Sequence, residues 1–229
     1  MNPTVILLPG LGADERLFRR HREVLPNLIV PAWPKPAADD TLATFAARLA
    51  ESIPRSDRLY LGGASFGGMV ALELAALLRP RGIFLIGSCA GPESISPLAR
   101  QLRAFARALP VRAFQPRRWS LPLVLPKFGR LDSENRQLFL SMACETPGGF
   151  LKWGVEALLS WRPAPAAVPI RHIHGSADRL IPLRLVRPER VVPGGGHLLS
   201  LTHPQEVNAF LAEVLSETSG AAHERNARS

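Results

Sequence analysis

The chain has 229 residues, 46 % of them hydrophobic and 21 % charged, which suits one globular domain with a sizeable core. Its formal net charge is +9, and only three of its 28 basic residues are lysine. No run of five basic residues and no nucleic-acid-binding motif accompanies that charge, which argues against a nucleic acid partner, and no apolar stretch approaches the roughly 18 residues of a membrane span.

Two cysteines, Cys89 and Cys144, do not make a disulfide framework. Met1 to Leu8 has neither a basic region nor a cleavage pattern, so no signal peptide, no membrane partner and a cytoplasmic location are expected. Val5 to Leu8 is a continuous apolar run that predicts a strand buried on both faces. It ends in Pro9-Gly10-Leu11-Gly12-Ala13-Asp14. A dinucleotide fingerprint would need a third glycine at position 15, which is Glu15. Leu28 to Val30 predicts a second short strand, and Pro31 to Pro36 a stiff loop. From Thr41 to Ile53, Leu42, Phe45, Ala46, Leu49 and Ile53 follow helical spacing, with Asp40 or Thr41 as cap. Leu59 to Gly62 reads as a strand. The helix from Met69 to Leu78 is apolar on nearly every face, which predicts burial, and Arg79-Pro80 stops it. Gly82 to Ile86 is a further buried strand.

Strand alternating with helix argues for a parallel sheet covered on both faces. The alternation breaks after Ser88. Between Cys89 and Arg162 no strand is predicted, but three helices are: Pro97 to Leu109, Ser133 to Cys144 and Phe150 to Trp161. This stretch carries 11 basic and five acidic residues, +6 of the total charge. Strands return at Ile170 to His174, followed by Gly175-Ser176-Ala177-Asp178, and at Arg190 to Val192, followed by Pro193-Gly194-Gly195-Gly196-His197. A closing helix starts at Pro204 and carries Val207, Phe210, Leu211, Val214 and Leu215. The predicted division is a core in two parts, residues 1–88 and 166–215, around a helical insertion at 89–165, with a disordered polar tail at 216–229.

Gly63-Ala64-Ser65-Phe66-Gly67 fits G-x-S-x-G between a strand and a helix, the nucleophile elbow. Glycine and serine are common, so the pentapeptide alone is weak; its strand-helix context strengthens it. Ser65, Asp178 and His197 each follow a predicted strand, and in a parallel sheet such positions meet at the carboxyl edge. There His197 takes the proton of the Ser65 hydroxyl and later returns it to the leaving group, while Asp178 sets the imidazole tautomer. The oxyanion needs two N–H donors: the backbone of Phe66, next to the nucleophile, and that of Leu11 in the first glycine loop. His172 and His174 have the H-x-H spacing of some metal sites but no third ligand, so they read as core or edge histidines. His21 and His203 read as surface or cap residues, and Cys89 as packing.

Leu8-Pro9-Gly10-Leu11-Gly12, the stretch from Gly63 to Met69, His174 to Asp178 with Pro182, and Gly194 to His197 together resemble a small α/β-hydrolase over most of residues 4–215. Many relatives carry His-Gly where this chain has Pro9-Gly10. The resemblance implies an α/β fold with a mostly parallel sheet of about six strands and a helical lid, the fold's usual first two strands having no counterpart. It implies hydrolysis of a small-molecule carboxylic ester through an acyl-Ser65 intermediate, without cofactor or metal. Lid residues Leu98, Leu102, Phe105, Trp119 and Trp153 are the expected walls of an acyl pocket. The sequence also looks like small esterases that cleave the methyl ester of pimeloyl-acyl-carrier protein. That likeness implies an acidic acyl carrier protein docking on Arg103, Arg107, Arg117 and Arg118. Other classes remain: a hydrolase-fold ligand-binding protein with little turnover, or a cofactor-free lyase or perhydrolase.

Overall fold

Five apolar runs pair in sequence order into one parallel sheet: β1 (Thr4–Leu8), β2 (Leu59–Ala64), β3 (Gly82–Ile86), β4 (Ile170–Gly175) and β5 (Arg190–Val192). The computed structural model describes residues 3–95, 103–118, 121, 124–163 and 166–226, with the backbone alone for 103–105 and 218–226. Ile6 stands opposite Leu61, and Leu61 opposite Ile83, so the predicted apolar runs form the centre of the sheet. The expected strand at Leu28 to Val30 contracts to a single bridge at the outer side of β1. There Leu7 N–H donates to Ile29 O (3.1 Å) and Ile29 N–H to Val5 O (3.0 Å). Pro31 follows at once and has no N–H with which to extend the ladder.

From β1 the chain goes outward to Ile29, then returns across β1 to β2. That reversal distributes the connections over both faces of the sheet. Alternate strand residues divide the core accordingly. Ile6, Leu8, Leu61 and Leu85 face α1 (Leu42–Ala50) and α2 (Phe66–Leu78). Val5, Leu7, Phe84 and Ile173 face the closing helices α6 (Leu199–Thr202) and α7 (Pro204–Asn226). Thr41 caps α1 in a reciprocal pair with Thr44. The α2 helix is buried along most of its length, as its apolar faces predict, and Arg79 ends it in a left-handed conformation with φ 47°.

Between β3 and β4 the described residues form helices and turns: α3 (Arg103–Ala108), α4 (Ser133–Glu145) and α5 (Gly148–Ser160). The first residues of the helix expected from Pro97 lie outside the described residues. An aromatic cluster fixes α5 to the core. The Trp153 ring lies tilted 4.4 Å from Phe45 of α1 and edge to face 6.0 Å from Phe66 of α2, and Phe150 lies 6.0 Å from Trp33. Each such pair adds about 1 kcal/mol beyond the area it buries. Of the tail expected to be disordered from residue 216, the described residues 216–226 are helical instead, since α7 continues through Asn226. Ala221, Ala222, Glu224 and Arg225 are good helix formers, and Glu217 is tied to Arg171 of β4 at 2.7 Å.

Candidate active site

The turn from β2 into α2 is built around Ser65, whose φ of 50° and ψ of −119° put a non-glycine residue in strained backbone. Two glycines make that turn. A Cβ on Gly67 would run into the backbone of Leu8 and Pro9, and a Cβ on Gly63 would meet Leu8 O at 2.6 Å. The small residues therefore admit β1 and its following loop to within backbone contact of the elbow. Ser65 N–H donates to Ile86 O (3.1 Å), and Ser88 Oγ–H donates to Ser65 O (2.6 Å). Ser88, at the end of β3, braces the elbow; a lone serine after a strand carried no sequence signal for that role.

The three side chains singled out by position after a strand meet at the carboxyl edge of the sheet. His197 Nε2 lies 2.8 Å from Ser65 Oγ, and His197 Nδ1 lies 2.7 Å from Asp178 Oδ2. Asp178 Oδ1 accepts from the N–H groups of Leu180 (2.8 Å) and Ile181 (2.9 Å). Burial alone would raise the pKa of Asp178. The hydrogen bond and charge of His197, the Ile181 amide and His174 outweigh that and hold the carboxyl below its ordinary range. An ionised carboxylate only accepts, so His197 Nδ1 carries a proton and Nε2 faces the Ser65 hydroxyl with its lone pair. This arrangement can draw a proton from Ser65 as its oxygen attacks. The segment between β3 and β4 contributes as well: His197 N–H donates to Phe128 O (2.9 Å), and the Phe128 ring meets the imidazole edge to face at 5.9 Å. Phe128 escaped the sequence reading because a carbonyl acceptor leaves no trace in residue type.

Gly10 O accepts from Ala13 N–H (3.0 Å), closing the first glycine loop, with Gly12 at φ 83°. A Cβ built on Gly10 would lie 3.7 Å from Ser65 Cβ, so this loop runs directly beside the serine. Among the described residues no hydrogen-bond acceptor is paired with the Leu11 or Phe66 amide, the two donors expected to face an oxyanion. A narrow niche beside Ser65 is lined by Leu11, Leu17, Phe128, Phe139 and Leu199. A larger cavity of about 1000 Å³ lies between α5 and the loop after Ile29, walled by Trp33, Pro36, Met142, Phe150 and Trp153. Ala13 borders both spaces. Of the expected pocket walls, Trp153 lies in this cavity; Leu98, Leu102, Trp119 and the Phe105 side chain lie outside the described residues.

Cys89 is fully buried, and burial pushes its thiol up to about 12, so it packs rather than reacts. His21, expected at the surface, is fully buried with Nδ1 bonded to Asn208 Oδ1, because α7 closes over it. His172 and His174 are buried in the sheet core. Among the described residues no three His, Cys, Asp or Glu side chains converge as metal ligands, and no described helix is long and apolar enough to cross a membrane.

Burial, with the nearby His174, pushes the pKa of His172 from 6.5 down to about 4. As pH falls from 6.5 the unfolded chain takes up a proton that the folded one refuses, so stability present above pH 6.5 is lost toward pH 4. Urea unfolding of His172→Gln, which cannot titrate, is expected to lose about 3 kcal/mol less than the parent between those pH values. Equal losses would show that His172 does not set the acid sensitivity.

The model of the alpha/beta hydrolase family matches residues 5–210. Among solved structures, a thermophilic esterase from Thermogutta terrifontis superposes with a TM-score of 0.71 at 21 % identity, covering 95 % of this chain and 90 % of its own. A putative lipase from Acinetobacter baumannii gives 0.73 at 18 %, covering 96 % and 85 %. The RedJ thioesterase of the prodiginine biosynthetic pathway in Streptomyces coelicolor gives 0.65 at 22 %, covering 93 % and 89 %. No curated protein matches the sequence. With the family model spanning the sheet, the elbow and the loops that bear Asp178 and His197, the chain belongs to the alpha/beta hydrolase family.

Proposed function

We propose that this protein is a serine hydrolase that cleaves a carboxylic ester through an acyl-Ser65 intermediate. The observation that carries the reading is the unbroken relay from Asp178 Oδ2 through His197 to Ser65 Oγ, at 2.7 and 2.8 Å. His197 removes the Ser65 proton as Oγ attacks the ester carbonyl, and Asp178 stabilises the imidazolium that forms. The negative oxygen of the tetrahedral species turns to the Leu11 and Phe66 amides, each such donor contributing about 3 kcal/mol to the transition state. His197 then protonates the departing alcohol. Water, activated by the same imidazole, releases the acid. Trp153 and the apolar cavity that it lines supply room for the acyl or alcohol group.

The test is hydrolysis of p-nitrophenyl esters over a ladder of acyl lengths, with Ser65→Ala alongside. Turnover that disappears in the variant is the expected result, and the preferred length sizes the pocket. A folded protein that turns over no ester overturns the free-ester reading and favours capture of a ligand without turnover. A carrier-bound ester is the second reading, favoured by Arg107, Arg117 and Arg118, all exposed on the segment between β3 and β4. An acidic acyl carrier protein would dock there through salt-sensitive contacts. Arg107→Glu with Arg118→Glu is then expected to raise KM for a carrier-bound ester and not for a p-nitrophenyl ester; an equal KM for the carrier-bound ester removes this reading.

A further inference from the structure

A second group of buried polar side chains reaches Asp178 without bonding to His197 or Ser65. His172 and His174, two residues apart, share one face of β4. Their rings meet edge to face at 5.2 Å, with His172 Nε2 3.2 Å from His174 Nδ1. His174 Nε2 lies 2.8 Å from Ile181 O and 3.4 Å from Asp178 Oδ2. Both rings are buried, His174 completely.

The tautomers follow from the acceptors. A carbonyl oxygen only accepts, so His174 Nε2 carries a proton. Burial disfavours the charged form of both rings, and a neutral His174 then presents a lone pair at Nδ1. His172 must donate from Nε2, or two lone pairs would face each other. Both N–H bonds therefore point the same way, from His172 toward the Asp178 turn. Ile181 ties that turn through both of its backbone polar groups: its N–H donates to Asp178 Oδ1, and its carbonyl oxygen accepts the hydrogen bond from His174 Nε2–H.

The geometry points to His174 as a positioning residue for the Asp178 carboxylate, with His172 holding it in the required tautomer. Without the His174 donor, a buried carbonyl loses its partner and the turn that aims Asp178 at His197 is free to shift. A displacement of this kind costs rate without touching substrate binding. The kinetic part of this inference rests on the serine-hydrolase reading; its spectroscopic part does not.

The test compares His174→Phe, which keeps volume and removes the donor, with His174→Gln, whose amide nitrogen stands near the Nε2 position. The Phe variant is expected to lose on the order of tenfold or more in kcat with KM within about twofold of the parent. The Gln variant is expected to recover most of the loss. The downfield NMR resonance of the His197 Nδ1 proton, read without substrate, should be present in the parent and in His174→Gln, and shifted or broadened in His174→Phe. Should His174→Phe fail to fold, His172→Phe against His172→Gln makes the same comparison, with the donor retained only in Gln. A folded Phe variant with the parent's kcat and an unchanged resonance overturns the inference, as does a Gln variant no better than Phe. If the parent hydrolyses no ester, the hydrolase reading fails and the resonance alone decides the role of His174.

Discussion

Ser65→Ala is expected to lower kcat on p-nitrophenyl esters by about 10⁶-fold, equivalent to about 8 kcal/mol of transition-state stabilisation. The size of the effect follows from chemistry rather than folding. Alanine keeps the Cβ that packs beside Gly10 and leaves the Ser65 N–H bond to Ile86 O and the Ser88 bond to its carbonyl in place. It removes only the oxygen that lies 2.8 Å from His197 Nε2. Thermal unfolding should therefore stay close to that of the parent while turnover vanishes. A fluorophosphonate should add one equivalent of label to the parent and none to the variant. Retained hydrolysis in Ser65→Ala would move the chemistry to another group and end the acyl-serine reading.

Asp178→Asn should cost about 10⁴-fold in kcat by a different route. One carboxylate oxygen accepts the Leu180 and Ile181 amides, which an asparagine oxygen can continue to do. The asparagine NH₂ then takes the place of Oδ2 and points its hydrogens at His197 Nδ1. That nitrogen must become the acceptor, so the neutral ring carries its proton on Nε2, facing Ser65 Oγ. A protonated Nε2 cannot remove the Ser65 proton. The fold should survive and KM should change little, since no residue that binds the acyl group is altered. Rates of fluorophosphonate labelling offer the check: labelling as fast as in the parent would show that the tautomer of His197 does not depend on Asp178.

The loss at Ser65 was available from Gly63-Ala64-Ser65-Phe66-Gly67 between an apolar strand and an apolar helix. The tautomer argument at Asp178 required the separate partners of its two oxygens, which come from the Leu180 and Ile181 amides and from a histidine 19 positions away.

Much of the architecture was legible because strand and helix signals are local. Four-residue apolar runs, the capping threonine before α1 and the glycine-bracketed serine announce themselves within a few positions, whatever the rest of the chain does. The order serine, aspartate, histidine, each after a strand, also follows from local signals once the sheet is parallel. Elsewhere distant contacts decided. Leu28 to Val30 has the composition of a strand, yet Pro31 limits it to one bridge. Residues 216–226 lack apolar periodicity, yet α7 extends through them, with Glu217 paired to Arg171 of β4. His21 has a surface residue's polarity, yet lies under α7. Phe128 holds His197 through a backbone carbonyl, which every residue type carries, and Ser88 holds the elbow through a hydroxyl, which every serine carries. Residue type and spacing alone carry the fold class and the identities of Ser65, Asp178 and His197, because those depend on chemistry and on periodicity along the chain. The support around them, from the Phe128 carbonyl to the His172–His174 pair, exists only when segments far apart in sequence are brought within hydrogen-bond reach, and no local pattern encodes that proximity.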